Sequence, residues 1–374
     1  MKVIHIITGL NNGGAEGVLY RLCKYDTEHE HVVVSLMDKG KYGSLLEKEG
    51  IEVLCLNMPQ GRISVSGVWA LFQRLRNDKP DVVQTWMYHA DLIGGGVARI
   101  AGIKNVFWNV RNTSLMPDVI KRSTILIAKL CALVSGRLPK KIIYCAHKAK
   151  LAHEMLGYKA GRGVVIGNGY DLAQLTYDAA ASSLLRSEIG VLPNEILIGM
   201  VGRFDPQKDH NNLIKALSLV KNAGLPFKAI LVGKGLDYSN SKFLQCIEEY
   251  RLSEHIILLE QRNDIATVMS AMALHVLSSL DEAFPNVLAE AMACGTPCLT
   301  TDVGDAAIIV GDTGWIVPPS DPKALAKAML EAMDEKQNDP QAWQARKQAC
   351  RKRIVDHYAI DRMLTDYHQI WFDK

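Results

Sequence analysis

Residues 3–7, Val3-Ile4-His5-Ile6-Ile7, form a short and almost continuously apolar run, and runs of the same kind return at 32–35, 53–56, 82–85, 106–108 and 142–144. Stretches with helical spacing lie between them, beginning with 15–25. A strand that alternates apolar and polar residues faces water on one side, whereas an unbroken apolar strand is covered on both faces and belongs to a parallel sheet. The βαβ rhythm therefore predicts a doubly wound α/β domain. It falters after 164–166, where Gly167-Asn168-Gly169-Tyr170-Asp171 is turn chemistry. It resumes at 196–201, 229–232, 256–259, 273–277 and 298–300, with helices expected over 211–222, 243–251 and 286–293. The reading is of two similar α/β domains: 1–168, a polar Ala/Ser-rich linker at 169–194, and 195–357, with a helix from about 358 to 374 packing back on the first.

With 374 residues, 48% apolar and a net charge of only +3, the chain has core material for two domains and is not disordered. Its 8 cysteines are scattered with no Cys-x-x-Cys pair, as expected of buried thiols in a reducing cytoplasm and not of a disulfide or zinc framework. Residues 3–7 are too short for a secretory leader, and no stretch reads as a membrane span. The charge is unevenly placed. Residues 1–168 hold 23 Lys+Arg against 13 Asp+Glu, and the whole excess lies in 104–162, with 12 basic and 2 acidic residues. That region is either a solvated basic face or a surface for something anionic. Nucleic acid is the least favoured partner, since no recognition motif accompanies the patch.

Open parallel sheets bind ligands beyond the carboxyl ends of their strands, so the loops there, and the cleft between two such domains, are where chemistry is expected. Three loops stand out. In the first, Gly13 and Gly14 precede a helix, where backbone N–H groups approach an anion, although Gly-x-Gly-x-x-Gly is missing. In the second, Arg203 and Lys208 place two cations in one loop, an arrangement suited to a diphosphate. In the third, Glu282 precedes and Glu290 lies within a helix whose first turn is expected to contain Pro285. The N–H groups around Asn286, Val287 and Leu288 then offer an anion or hydroxyl site, and the two carboxylates can accept from vicinal sugar hydroxyls.

Gly-Gly-Ala-Glu at 13–16, Gly-Arg-Phe-x-x-x-Lys at 202–208 and Glu-x₇-Glu at 282–290 together resemble the family-4 glycosyltransferases of the GT-B fold. Residues 165–171, Thr301-Asp302-Val303-Gly304-Asp305 and 314–319 extend the resemblance over nearly the whole chain. It implies two Rossmann-like domains facing a cleft and retaining transfer of a sugar from a nucleotide-sugar, a UDP-sugar in the first instance, to an acceptor hydroxyl. By that resemblance Arg203 and Lys208 hold the donor diphosphate and Glu290 the ribose. Glu282 sits at the donor sugar with the amides of Phe284, Pro285, Asn286, Val287 and Leu288 nearby. Gly13 and Gly14 reach the phosphate, His89 lies near the transferred sugar, and Arg262, Asn263 and Ile265 lie at the base. For His89 a structural role is an equal alternative.

Three positions depart from the pattern: Gly167 where proline is usual, Glu260 near the base-contacting turn where glycine often stands, and Ala283 where glycine is common, which narrows the sugar pocket. No Asp-x-Asp occurs, so neither metal nor cofactor is expected, the two cations taking the ion's place. The amphipathic basic segment 117–137 suggests contact with the anionic cytoplasmic face of the inner membrane, and with it a lipid-linked saccharide acceptor in surface polysaccharide or lipopolysaccharide synthesis. An ordinary half-buried helix is the alternative. At the level of function, a sugar-nucleotide epimerase or hydrolase and a non-catalytic nucleotide-sugar-binding subunit stay open.

Overall fold

The computed structural model describes residues 1–59, 61–113, 121–192 and 194–372. The chain forms two units, Met1–Gly169 with Ile360–Lys374, and Tyr170–Ala359.

The first unit contains β1 (Lys2–Ile7), β2 (Glu30–Ser35), β3 (Glu52–Cys55), β4 (Val82–Trp86), β5 (Val106–Val110), β6 (Lys141–Tyr144) and β7 (Gly163–Val165). They pair in parallel in the order β3-β2-β1-β4-β5-β6-β7. The second unit contains β8 (Ile196–Val201), β9 (Phe227–Val232), β10 (Ile256–Leu258), β11 (Leu274–Leu277), β12 (Cys298–Thr301) and β13 (Trp315–Val317). Its order, β10-β9-β8-β11-β12-β13, repeats the same winding. Each sheet starts at its centre, grows to one side, then returns to the other, so a switch point lies between β1 and β4 and another between β8 and β11. The unbroken apolar runs are the central strands: β4, β5 and β8 are buried along their whole length. β13, which no strand signal announced, joins the edge of the second sheet through Leu299↔Trp315.

Residues 169–194 are not a linker. The helix Ala179–Glu188 is started by Asp178, whose Oδ1 accepts from the Ala181 N–H at 2.9 Å, and it packs within the second unit. Ser182 Oγ donates to the Ser270 carbonyl at 3.1 Å, and Arg186 donates to the carbonyls of Ala271 at 3.0 Å and Glu195 at 2.7 Å. Small polar residues mimic a spacer in composition, yet Ser182 and Leu185, three apart, form a buried stripe.

The last helix, Ile360–Phe372, belongs to the first unit. It buries Ile360, Met363, Tyr367 and Trp371 beside Ile7, Leu19, Val33 and Trp86, each large apolar side chain contributing about 1.5–3 kcal/mol. Polar contacts fix its pitch: Trp371 Nε1 donates to Gln84 Oε1 at 2.9 Å and Asn109 Nδ2 to the Tyr367 hydroxyl at 2.6 Å. Gly169 is pressed against this helix, where a Cβ would come within 2.7 Å of Met363.

Of the basic segment 117–137, residues 117–120 lie outside the described residues, and the helix runs Arg122–Val134. Its orientation is inverted relative to an ordinary amphipathic helix. Ala128, Cys131 and Ala132 face inward, while Leu126, Leu130 and Leu133 are exposed by 59, 42 and 81% beside exposed Arg122 and Lys129.

Candidate active site

The second unit brings together the loops after β8 and β11 at their switch point. Ser278, the first residue beyond β11, donates from Oγ to the carbonyls of Lys208 at 2.9 Å and Asp209 at 3.1 Å. The Leu280 N–H donates to the Gln207 carbonyl at 2.7 Å. These bonds stitch the two loops and bring Lys208 Nζ to 2.5 Å from Glu282 Oε1, with each side chain 16% exposed. Ser279 Oγ donates to the same carboxylate oxygen at 2.9 Å, and Thr301 Oγ1 holds the Ser279 carbonyl at 2.6 Å. Ser278, Ser279 and Thr301 were not foreseen as part of the site. Their signal was available: paired hydroxyls at the carboxyl end of an apolar strand, where a sheet of this kind places its chemistry.

Asp209 has a left-handed backbone, φ +45, and its carboxylate caps the helix His210–Asn222 through the Asn212 N–H at 3.2 Å. Arg203 stands apart from Lys208. It is 62% exposed and donates from Nε to Asp205 Oδ2 at 2.8 Å. Burial pushes the Asp205 carboxyl up, but the Arg203 bond and the Gln207 N–H outweigh it and leave it below the usual range.

Behind Glu282 the backbone of Gly304 fits closely. Its φ is +49, and a Cβ there would lie 2.3 and 2.4 Å from the carbonyl oxygens of Glu282 and Ala283. The Asp305 N–H bonds the Ala283 carbonyl at 3.0 Å. Pro285 is the residue before the helix Asn286–Ala293, not a member of its first turn. Among the expected amides, that of Leu288 already donates to the Pro285 carbonyl at 3.1 Å. Phe284 turns its ring inward against Tyr358, 5.6 Å between centroids, and Asn286 Oδ1 accepts from the Tyr170 hydroxyl at 2.5 Å. Val287 and Glu290 are half-buried on the same helix. Arg262 folds onto Asp264 in a two-pronged pair of 2.5 and 2.9 Å, Asn263 is exposed, and Ile265 opens the helix Ile265–Ala271.

In the first unit, Gly13 caps the helix Gly14–Tyr25 after β1. The Glu16 carboxylate folds back over this start, so that a Cβ on Gly13 would meet Glu16 Oε2 at 2.3 Å. Burial pushes the Glu16 carboxyl up against its own backbone N–H, which lowers it. His89 lies in the first turn of the helix Tyr88–Ile100, beyond β4, half-buried and held below its usual pKa by desolvation. The turn before it is strained: Met87 has φ +70, costly for a residue with a side chain. It is kept there by the Asp91 N–H on the Met87 carbonyl at 2.9 Å and by Thr85 Oγ1 on Asp91 Oδ1 at 2.5 Å. Gly13, Gly14 and His89 thus stand beyond β1 and β4, and Arg203, Lys208 and Glu282 beyond β8 and β11, at the switch point of each sheet.

Two sheets of this winding, with two cations and a carboxylate beyond β8 and β11 of the second, are the arrangement of a GT-B glycosyltransferase, the class to which the chain's family matches assign it. The chain belongs to the family-4 type: residues 12–174 match Glycosyltransferase Family 4 and residues 183–349 match Glycosyl transferases group 1. It is similar to the UDP-Gal:alpha-D-GlcNAc-diphosphoundecaprenol alpha-1,3-galactosyltransferase of Escherichia coli, 23% identical over 86% of this chain and 83% of that one. In fold it is similar to HepE of Anabaena, solved in complex with UDP, with 23% identity, 99% of both chains covered and a TM-score of 0.85. WaaG, a glycosyltransferase involved in lipopolysaccharide biosynthesis, shares the fold at 16% identity, with all of both chains covered (100%) and a TM-score of 0.73.

Proposed function

We propose that this glycosyltransferase moves a sugar, with retention at the anomeric carbon, from a UDP-sugar to a hydroxyl of a lipid-linked saccharide in bacterial surface polysaccharide or lipopolysaccharide synthesis. The observation that carries the proposal is the Lys208–Glu282 contact, which sets a cation for the leaving diphosphate beside a carboxylate for the donor sugar. As the glycosidic bond breaks, negative charge grows on the diphosphate. Lys208, Arg203 and the start of the helix Asn286–Ala293 meet that charge without reorganising. Glu290 accepts from the ribose hydroxyls, Glu282 from a hydroxyl of the sugar, and the Arg262–Ile265 turn takes the base. The leaving phosphate oxygen accepts the acceptor's proton on the same face of the sugar, so no side chain serves as nucleophile. In this reading no metal is required at the phosphates, and Gly13, Gly14 and His89 serve from the first unit.

The choice of UDP and of a lipid-linked acceptor is supported by the name of the Escherichia coli relative, which pairs UDP-Gal with a diphosphoundecaprenol acceptor, and by the UDP bound in the Anabaena structure. The helix Arg122–Val134 supports a membrane-surface location, because it presents Leu126, Leu130 and Leu133 outward among basic residues. Among the described residues no helix is long and apolar enough to cross a membrane.

The test is donor binding by thermal shift against UDP-, GDP-, ADP- and CMP-sugars with and without EDTA, followed by transfer to an undecaprenyl-diphosphate-linked saccharide. Stabilisation by a UDP-sugar that is indifferent to EDTA, with product only when acceptor is present, is the expected result. Turnover of the nucleotide-sugar without acceptor points instead to a hydrolase or epimerase, and binding without turnover to a non-catalytic subunit.

A further inference from the structure

Far along the chain from these loops, the first unit collects imidazoles around one carboxylate. The helix Gly14–Tyr25 ends at Asp26, and His29 and His31 follow on the way into β2. The helix Ile360–Phe372 adds His368. The Asp26 side chain is fully buried. His29 Nδ1 lies 3.1 Å from both of its oxygens, and His368 Nε2 lies 2.8 Å and His31 Nε2 3.0 Å from Oδ2. One ligand atom from each of Asp26, His29 and His368 fits within 4.8 Å of the other two.

The hydrogen-bond chain behind this cluster separates the roles of its histidines. Trp86 Nε1 can only donate, and it faces His5 Nδ1 at 3.2 Å. His5 therefore carries its proton on Nε2, which faces His31 Nδ1 at 2.9 Å. His31 in turn carries its proton on Nε2, toward Asp26. With that nitrogen protonated and 3.0 Å from Asp26 Oδ2, though not in a well-formed hydrogen bond, His31 has no lone pair to offer a metal beside the carboxylate. His5, Cys23 and His31 also lie within 4.8 Å of one another, but this bond chain already uses the two imidazoles and all three residues are buried.

His29 and His368 are under no such commitment and keep a path to solvent, with side chains 10 and 21% exposed. No lysine or arginine pairs with Asp26 among the described residues; its carboxylate accepts from the Glu28 N–H at 3.1 Å and otherwise faces imidazoles, of which His29 and His368 are the two that reach solvent. Two imidazoles and a carboxylate are a borderline-soft donor set suited to zinc, and zinc sites with three protein ligands take water as the fourth. Ligand atoms about 2.0–2.1 Å from one zinc stand roughly 3.3 Å apart at tetrahedral angles, so the nitrogen–oxygen edges need open by only a few tenths of an ångström.

We propose that Asp26, His29 and His368 form a structural Zn²⁺ site that ties the helix Ile360–Phe372 to the end of the helix Gly14–Tyr25. The site is independent of the sugar-transfer reading.

The test is zinc titration of the full chain after EDTA dialysis, read by calorimetry, thermal unfolding and X-ray absorption at the zinc edge. One zinc per chain, a raised melting temperature and a nitrogen/oxygen shell containing two imidazoles are expected. His29→Gln and Asp26→Asn should each weaken zinc binding at least tenfold. His368→Ala should abolish the zinc-dependent rise, and the His29→Gln result guards against loss of fold in that variant. No zinc binding overturns the proposal, as does binding unchanged in these variants or a sulfur atom in the shell. A melting temperature indifferent to zinc but raised between pH 8 and 6 overturns it too, since an imidazolium would then be the partner of Asp26.

Discussion

Lys208 and Glu282 come from different loops of one sheet and touch at 2.5 Å, mostly withdrawn from water. Each neutralises the other, and in the proposed reaction the donor phosphate competes for the ammonium. Replacing the carboxylate by an amide leaves the cation free for that phosphate while removing the acceptor for the sugar. Glu282→Gln should bind free UDP about three- to tenfold more tightly yet transfer sugar about 10²-fold more slowly. Calorimetry beside single-turnover rates reads the two effects separately, and parallel losses in both would refute the pairing.

Lys208→Ala and Arg203→Ala remove cations proposed to meet the developing charge, and losing one such group typically costs on the order of 10²–10³ in rate. Each variant should lose at least tenfold in transfer. The fold should survive, because Ser278 anchors the loop through the Lys208 carbonyl and not its side chain, while Arg203 is exposed. Circular dichroism and kcat/KM measured on the same samples check both halves of the expectation.

Gly304→Ala puts a methyl group on two carbonyl oxygens of the Glu282 loop, in backbone that a side chain adopts only with strain. Neither oxygen is the tip of a movable side chain, so the loop must shift and carry Glu282 with it. Transfer should fall at least tenfold, with a stability cost of about 1 kcal/mol or more. A variant with wild-type kcat would show that the loop is not clamped from behind.

His275 and His210 give the second unit an acid-sensitive core. Both are buried without a hydrogen-bond partner among the described residues. Desolvation, with the nearby Lys208 charge adding to it, holds them down to about 3 and about 4 respectively. An unfolded histidine protonates near 6.5. Between that value and the folded one, only the unfolded chain takes up the proton, so stability is lost as pH falls, by about 1.4 kcal/mol per pH unit per histidine. Denaturant unfolding of His275→Leu and wild type from pH 7.5 to 4.5 should show wild type losing ground steadily. Parallel curves would contradict the buried neutral imidazole.

Leu126, Leu130 and Leu133 are the apolar part of the outward face of the helix Arg122–Val134. Changing all three to Gln should reduce sedimentation with anionic liposomes at least tenfold and leave the protein's behaviour with neutral liposomes unchanged, since the basic residues alone bind weakly. Equal partitioning of the two proteins would remove the membrane-surface proposal.

The β runs and the two-domain winding were plain in the sequence because strands buried on both faces carry few polar residues to blur the pattern. The helix 286–293 was legible to the residue, and the last helix to within two residues at each end. β13 was not, since three residues at a sheet edge carry too little pattern. Residues 179–188 were hidden by their small, polar side chains, which resemble a spacer until Asp178 caps the helix and Ser270 and Ala271 offer carbonyls to it. Of the site, the charged residues announced themselves through spacing. The hydroxyls of Ser278, Ser279 and Thr301 marked the ends of their strands but not their partners, since Ser278 meets Lys208 across 70 positions and Thr301 meets Ser279 across 22.

The return of the helix Ile360–Phe372 to the first sheet bears on how the chain is made. Some 190 residues of the second unit leave the ribosome before Ile360, Met363, Tyr367 and Trp371 can close the core that β1 and β4 began. Throughout that interval the nascent first unit shows an uncovered apolar face, and premature termination anywhere in the second unit leaves it uncovered for good. Truncated products should therefore be chaperone clients, and an expression host that stalls on this message will yield aggregates and not a soluble half-enzyme.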